Sequence, residues 1–221
     1  MPGLSSPIVY WPLLLAGAYL LGSVPFAQVL AKTTGRDLRQ IGTGNVGAGN
    51  LTREVGLPWG IAAAVLDGLK ALLPVFIARQ AGLGLGAAGL AGVMAVIGHN
   101  WSIWMRGRSG RGLASSAGML LALDPALIVW TTGWAVAGWR IGGGLAGFLG
   151  WGLLPIVAVA LGRPPTESLV LLLLSTILIG RRMQGNEADD PGMAAQLRRA
   201  VYDRDSGPDE LGEGAEGPLT S

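Results

Sequence analysis

The 221-residue chain has no cysteine and a single histidine, His99. Without cysteine there can be no disulfide, no thiolate nucleophile and no cysteine-based metal site. With one histidine there can be no histidine cluster for a metal. Charge is also scarce: Asp, Glu, Lys and Arg make up 14% of the chain, against roughly a quarter in soluble domains. A net charge of +2 is too small to argue for a nucleic-acid partner. The N-terminal Met1–Pro7 has no basic region, and a long apolar run follows it. That run therefore reads as a first membrane helix rather than a cleaved signal peptide.

Apolar residues and glycine are abundant instead. Half the chain is hydrophobic, with a mean hydropathy of +0.48 and 37 glycines. Many glycines lie inside apolar stretches, as in Gly82–Gly92 and Gly142–Gly152. In a bilayer, small residues let helices approach closely, so these glycines are expected to be packing positions.

Apolar segments at Ile8–Ala31, Pro58–Ala78, Leu83–Met105, Gly112–Leu123, Pro125–Trp139, Ile141–Leu161 and Glu167–Gly180 predict an all-α, polytopic membrane protein. A full crossing takes about 20 residues. Asp124-Pro125 interrupts what would otherwise be one long run. Proline removes a backbone donor and Asp is costly in lipid, so the chain must kink or turn there.

The distribution of Lys and Arg favours two short passes over one. Two passes gather Lys32, Arg36, Arg39, Arg53, Arg106, Arg108, Arg111, Arg140, Arg181 and Arg182 on one face and leave Arg79 and Arg163 on the other. The expected layout is about seven spanning or partly spanning helices, with the N-terminus outside and the C-terminus cytoplasmic. Residues 1–186 form the membrane domain. The acidic stretch 187–221 is expected to be a largely disordered cytoplasmic tail, with room for a short amphipathic piece near Met193–Tyr202. No internal repeat is evident.

Two polar loops carry the chemistry. Gly42-Thr43-Gly44-Asn45-Val46-Gly47 fits the dinucleotide pattern G-x-G-x-x-G. That pattern requires a preceding strand, whereas Thr33–Gln40 is polar and follows a membrane helix. The loop instead offers backbone amides, with Thr43, Asn45, Asn50 and Arg53 as further groups for an anion. A plain glycine-rich turn is the alternative. The second loop, Arg106–Gly112, follows His99-Asn100-Trp101-Ser102 and lies on the same face as the first. Arginine forks bind phosphate in bidentate fashion, although a basic juxtamembrane loop also serves to set topology or touch anionic lipid. Asp67 and Lys70 are three residues apart on one helix face. Charge at the bilayer centre costs about 2.5–3.5 kcal/mol, so the pair must face the bundle interior. It reads either as a structural ion pair or as part of the site, and His99 either as a base or phosphate donor or as a satisfied polar residue.

In order along the chain, Gly22-Ser23-Val24-Pro25-Phe26 resembles GSIPF, Gly42–Arg53 resembles GSGNxGATNxxR, and Asp67–Ala71 resembles DxLKG. Gly98–Trp104 is similar to GHxFPxF and Ser109–Ser115 to GGKGVAT. Together, from about Leu20 to Glu187, these motifs resemble the bacterial integral-membrane acyl-phosphate:glycerol-3-phosphate acyltransferases of the PlsY type. The chain has Gly49, Arg111 and Ser102 where that family has threonine, lysine and proline. Its Ser175–Asn186 stretch has no histidine where the family carries RHxxN.

The resemblance implies acyl transfer from acyl-phosphate to the sn-1 hydroxyl of glycerol-3-phosphate, forming lysophosphatidic acid with no cofactor or metal. Catalysis would come from positioning and electrostatics, with substrate phosphate assisting deprotonation of the hydroxyl. The expected partners are the two substrates, membrane lipid and an enzyme that makes acyl-phosphate. His99, Arg53 and Arg111 are the expected catalytic residues. Ser23, Thr43, Gly44, Asn45, Asn50, Arg53, Asn100, Gly110, Arg111, Gly112 and Ser115 are expected to bind substrate, with Asp67 and Lys70 supporting. Two other readings stand beside this one: a non-catalytic relative that binds phospholipid precursors or a partner enzyme, and a transporter of a phosphorylated metabolite.

Overall fold

The computed structural model describes residues 10–141, 143–185 and 192–202. Every regular element among the described residues is helical. The chain forms α1 (Tyr10–Ser23), α2 (Phe26–Thr33), α3 (Ala48–Glu54), α4 (Leu57–Gln80), α5 (Gly84–Asn100), α6 (Leu113–Leu123), α7 (Ala126–Ile141), α8 (Gly143–Gly152), α9 (Leu154–Ala160), α10 (Pro165–Gln184) and α11 (Met193–Tyr202). A 3-10 turn spans Ile103–Met105. Tyr10–Thr33 and Leu57–Gln80 are long and apolar enough to cross a membrane.

Proline decides where the expected segments break. Ile8–Ala31 does not run as one helix. Pro25 ends α1 and begins α2, because it has no N–H to donate and pushes the preceding residue out of the helical region. Ile141–Leu161 likewise divides into α8 and α9, and Pro155 sits in the first turn of α9, where a missing N–H costs nothing. At Asp124-Pro125 the chain turns back, and the structure explains the charge pattern. Arg79 Nη1, at the end of α4, donates to Ala122 O and Leu123 O, each at 2.8 Å, capping the last carbonyls of α6. Arg163 Nε lies 2.6 Å from Asp124 Oδ2. Arg79, Asp124 and Arg163 therefore share one end of the bundle, as two short passes require. At 11 and 16 residues, α6 and α7 fall short of a full crossing.

Helix α5 is the centre of the bundle, packed by α1, α4, α6 and α10. Close approach rests on glycine. A Cβ on Gly22 would overlap the Ala95 backbone, and one on Gly118 would overlap the Gly68 backbone. The expectation for Gly82–Gly92 holds at its C-terminal half. Gly89 and Gly92 leave no room for a Cβ against Val170 and Met119, whereas Gly82 and Gly84 form an open turn at positive φ. Leu13, Val129 and Ile156, at 69%, 74% and 65% exposure, face outward on an apolar surface suited to lipid. Helix α11 forms where an amphipathic piece was expected and packs on α8 and α10; residues 187–191 and 203–221 of the expected tail lie outside the described residues.

Candidate active site

The first polar loop is held open by one amide side chain. Asn50, fully buried on α3, accepts from the Thr43 N–H at 3.2 Å and donates Nδ2 to Leu38 O at 3.3 Å and Ile41 O at 3.0 Å. Gly42 sits at φ 54°, and any Cβ there would overlap Asn50 Oδ1 and Glu54 Oε1, so this turn admits glycine alone. The base of the loop is tied by Gln28, which accepts from the Leu38 N–H at 3.1 Å and donates to Asp37 at 2.8 Å. Hydrogen bonds from Arg39 hold the Asp37 carboxyl well below the usual carboxylate range. A lowered folded-state pKa means the contribution of Asp37 is present above the unfolded value, about 3.9, and is lost only as pH falls through the lower folded value. The base of the loop is therefore insensitive to pH around neutrality.

Asn50 was expected to bind substrate. The structure commits both of its Nδ2 protons and its Oδ1 to the loop backbone, making it a brace at the edge of the site. Asn50→Ala should destabilise the protein by about 1–3 kcal/mol through these lost partners. Thermal unfolding in detergent measures this, and an unchanged Tm would refute the bracing role.

The second loop crosses the end of α5. Arg106, at φ 55°, and Gly107, at φ 79°, reverse the chain, and the Ser109 N–H donates to Asn100 O at 3.2 Å. Gly112 begins α6 at φ 80°, where a Cβ would press on Asn100 Oδ1, Leu178 and Val96. Gly110 lies directly against His99 Nε2, leaving no space for a side chain.

Beneath the loops sits the buried pair. Lys70 Nζ is 2.8 Å from Asp67 Oδ1, and His99 Nδ1 is 3.4 Å from the same oxygen. Lys70 Nζ also donates to Val24 O at 2.8 Å, and Ser102 Oγ donates to Ser23 O at 2.5 Å. The break at Pro25 frees these two carbonyls, and side chains from α4 and from the turn after α5 satisfy them. The Gly22–Phe26 motif thus acts as a docking point between helices. Ser23, expected to contact substrate, is fully buried, and its Oγ donates to Tyr19 O at 2.9 Å within its own helix.

Between the two loops lies a cavity of about 530 Å³ lined by Thr43, Asn45, Gly47, Ala48, Gly49, Asn50, Arg53, Asp67, His99, Arg111, Gly112, Leu113 and Ala114. Most of the expected site residues meet there. Ser23, Gly44, Lys70, Asn100, Gly110 and Ser115 lie outside its lining. Gly44 serves the turn at φ 68°, Gly110 backs His99, and Asn100 and Ser115 are buried behind the wall. Two guanidinium groups and an imidazole face a space whose one acid, Asp67, is already paired. The arrangement suits a ligand with more than one anionic group.

The comparisons with known proteins agree with this geometry. The glycerol-3-phosphate acyltransferase family matches residues 12–188. The chain belongs to this family. The glycerol-3-phosphate acyltransferase of Thermus thermophilus is 39% identical over 178 residues, covering 76% of this chain and 84% of the relative. Glycerol-3-phosphate acyltransferase 1 of Deinococcus radiodurans is 37% identical over 194 residues, covering 83% and 94%. The fold is similar to the crystal structure of PlsY (YgiH), an integral membrane glycerol 3-phosphate acyltransferase, in its glycerol 3-phosphate form. The TM-score is 0.74 at 29% identity, covering 79% of this chain and 88% of that one. Its lysophosphatidic acid form gives a TM-score of 0.72 at 28% identity. The protein is accordingly a membrane protein.

Two residues of this acyltransferase-family chain carry weight that the sequence reading missed. Arg181 is 3% exposed and donates to Ser109 O at 2.9 Å and Gly185 O at 2.8 Å, anchoring the second loop to the end of α10. Arg182 donates to Gly144 O at 2.9 Å, joining α10 to α8. In the sequence both looked like charges that mark the end of a membrane helix. Asn186, at the end of the same stretch, lies outside the described residues.

Proposed function

We propose that the protein transfers the acyl group of an acyl-phosphate to the sn-1 hydroxyl of glycerol-3-phosphate. The observation that carries this reading is one cavity bounded by the two glycine-basic segments, with Arg53 at the end of one and Arg111 on the other. Both substrates carry a phosphate, so each loop has a partner. In the reaction the hydroxyl oxygen forms a C–O ester bond to the acyl carbon as the C–O bond to phosphate breaks. The hydroxyl proton leaves with the phosphate, and lysophosphatidic acid is formed. Phosphate is a good leaving group, so the chain need only align the substrates and stabilise developing charge.

Thr43, Asn45 and Arg53 bind one phosphate, and Arg111 with the Gly112 amide binds the other. His99, steadied by Asp67, orients the substrates beside them. The loops face the cytoplasm of a bacterial cell whose inner membrane holds the protein. The Lys and Arg gathered at this end support that orientation, and an acyl-phosphate-producing enzyme there supplies the donor.

The test is incubation of the purified protein with palmitoyl-phosphate and glycerol-3-phosphate, with released phosphate measured. Release that depends on glycerol-3-phosphate is expected. No release above a heat-killed control would favour a non-catalytic binding role.

A further inference from the structure

A second cavity, of about 460 Å³, lies between α7, α8 and the end of α10, within the roughly 300–1,000 Å³ typical of ligand sites. Its walls include Trp134 and Ala135 of α7, Gly150 and Trp151 of α8, Leu113 at the start of α6, and Arg182. Leu113 also lines the active-site cavity. A narrow space of about 20 Å³ bounded by Arg111, Leu113, Trp151 and Arg182 shares walls with both.

The chamber is built from specific contacts. Trp130 Nε1 donates to Gly150 O at 2.8 Å and meets Trp134 edge-on, with ring centroids 5.8 Å apart. A Cβ on Gly150 would come within 2.8 Å of Trp134 Cβ, so glycine lets the indole lie against α8. A Cβ on Gly147 would lie 3.1 Å from Arg182 Nη2, so the guanidinium also needs a small neighbour. The result is an indole-lined space whose one charged wall group stands on the side facing Arg111.

Such a space suits an amphiphile: an anion beside Arg111, a chain among the indoles, and the atoms between them near Leu113 and Arg182. In an acyl-phosphate those intermediate atoms are the reacting carbonyl. We propose that the α7–α8 chamber receives the acyl chain of the donor and that Trp134 and Ala135 set the chain length accepted. This rests on the acyl-phosphate reading above.

The test compares phosphate release from palmitoyl-phosphate and octanoyl-phosphate by the full-length protein in detergent, at saturating glycerol-3-phosphate. Ala135→Trp, which adds bulk to the chamber wall, should lower kcat/KM for the long donor relative to the short one by about tenfold, the scale on which apolar pockets discriminate chain length. Trp134→Ala should shift the ratio the opposite way, in favour of the long donor. Should Ala135→Trp not fold, Ala135→Leu carries the same sign. Equal losses for both donors would overturn the proposal and leave these walls a packing role. An unchanged ratio in both variants would also overturn it and assign the chamber to another lipid chain. Wild-type protein that releases no phosphate from any donor would overturn the acyltransferase reading itself, a result distinct from either of these.

Discussion

Arg53→Ala and Arg111→Ala should each lower kcat/KM for acyl transfer by at least about tenfold, equivalent to roughly 1.4 kcal/mol of lost transition-state stabilisation. The two arginines belong to different segments, Arg53 to the first glycine-basic segment and Arg111 to the second, and both line one cavity. Arg53 projects from α3, whose position is fixed by the Asn50 brace. Arg111 follows Ser109, whose carbonyl is held by Arg181. If each guanidinium serves a different phosphate, the variants separate in their kinetics. One raises KM mainly for glycerol-3-phosphate and the other mainly for the acyl donor. The double variant then loses about a hundredfold, because independent effects add in free energy. Lysine at either position restores charge without the planar fork and should recover only part of the loss. Initial-rate measurements varying each substrate in turn decide the matter. Wild-type rates in both single variants would refute the assignment, and identical KM effects would place both arginines on one phosphate.

How much of this site could be read from the sequence depended on how far each group acts from its own position. The two glycine-basic loops were legible because their glycines, amides and arginines are contiguous. Their placement on one face followed from charge counting, and the Arg79–Asp124–Arg163 cluster at the opposite end has the two-pass geometry which that counting requires. The Asp67–Lys70 spacing predicted a pair on one face, and the pair is there at 2.8 Å. The roles of Ser23 and Asn50 were not legible. Both look like ligand groups in a motif, but whether an amide or hydroxyl meets substrate or backbone depends on carbonyls from elsewhere in the chain. Leu38 and Ile41 take up the amide of Asn50, and the break at Pro25 decides which carbonyls near Ser23 need donors. The use of Arg181 was hidden for the same reason. A buried guanidinium and a topology-setting one are the same letter, and its acceptor lies 72 residues away.

Lys70→Met should produce the largest stability loss of any single change near the site. Lys70 and Asp67 side chains are 1% and 2% exposed, 2.8 Å apart, on an apolar helix. Removing one partner of a buried pair leaves the other as an uncompensated charge, at a cost of about 3–5 kcal/mol. Here the loss has a second component, because Lys70 Nζ also donates to Val24 O at the α1–α2 break. Without it that carbonyl loses its side-chain donor, and the contact of α4 with the break weakens. The double variant Asp67→Asn, Lys70→Met removes the stranded carboxylate and should regain much of the charge component while leaving Val24 O without Lys70. A double-mutant cycle on thermal unfolding in detergent separates the two components. A Tm for Lys70→Met equal to wild type would refute the stabilising role. Asp67 also contacts His99 Nδ1 at 3.4 Å, so Asp67→Asn should lower kcat even where the protein remains folded. The ion pair and the imidazole share one carboxylate oxygen. The carboxylate that pairs with Lys70 inside the membrane therefore also stands beside His99 in the cavity.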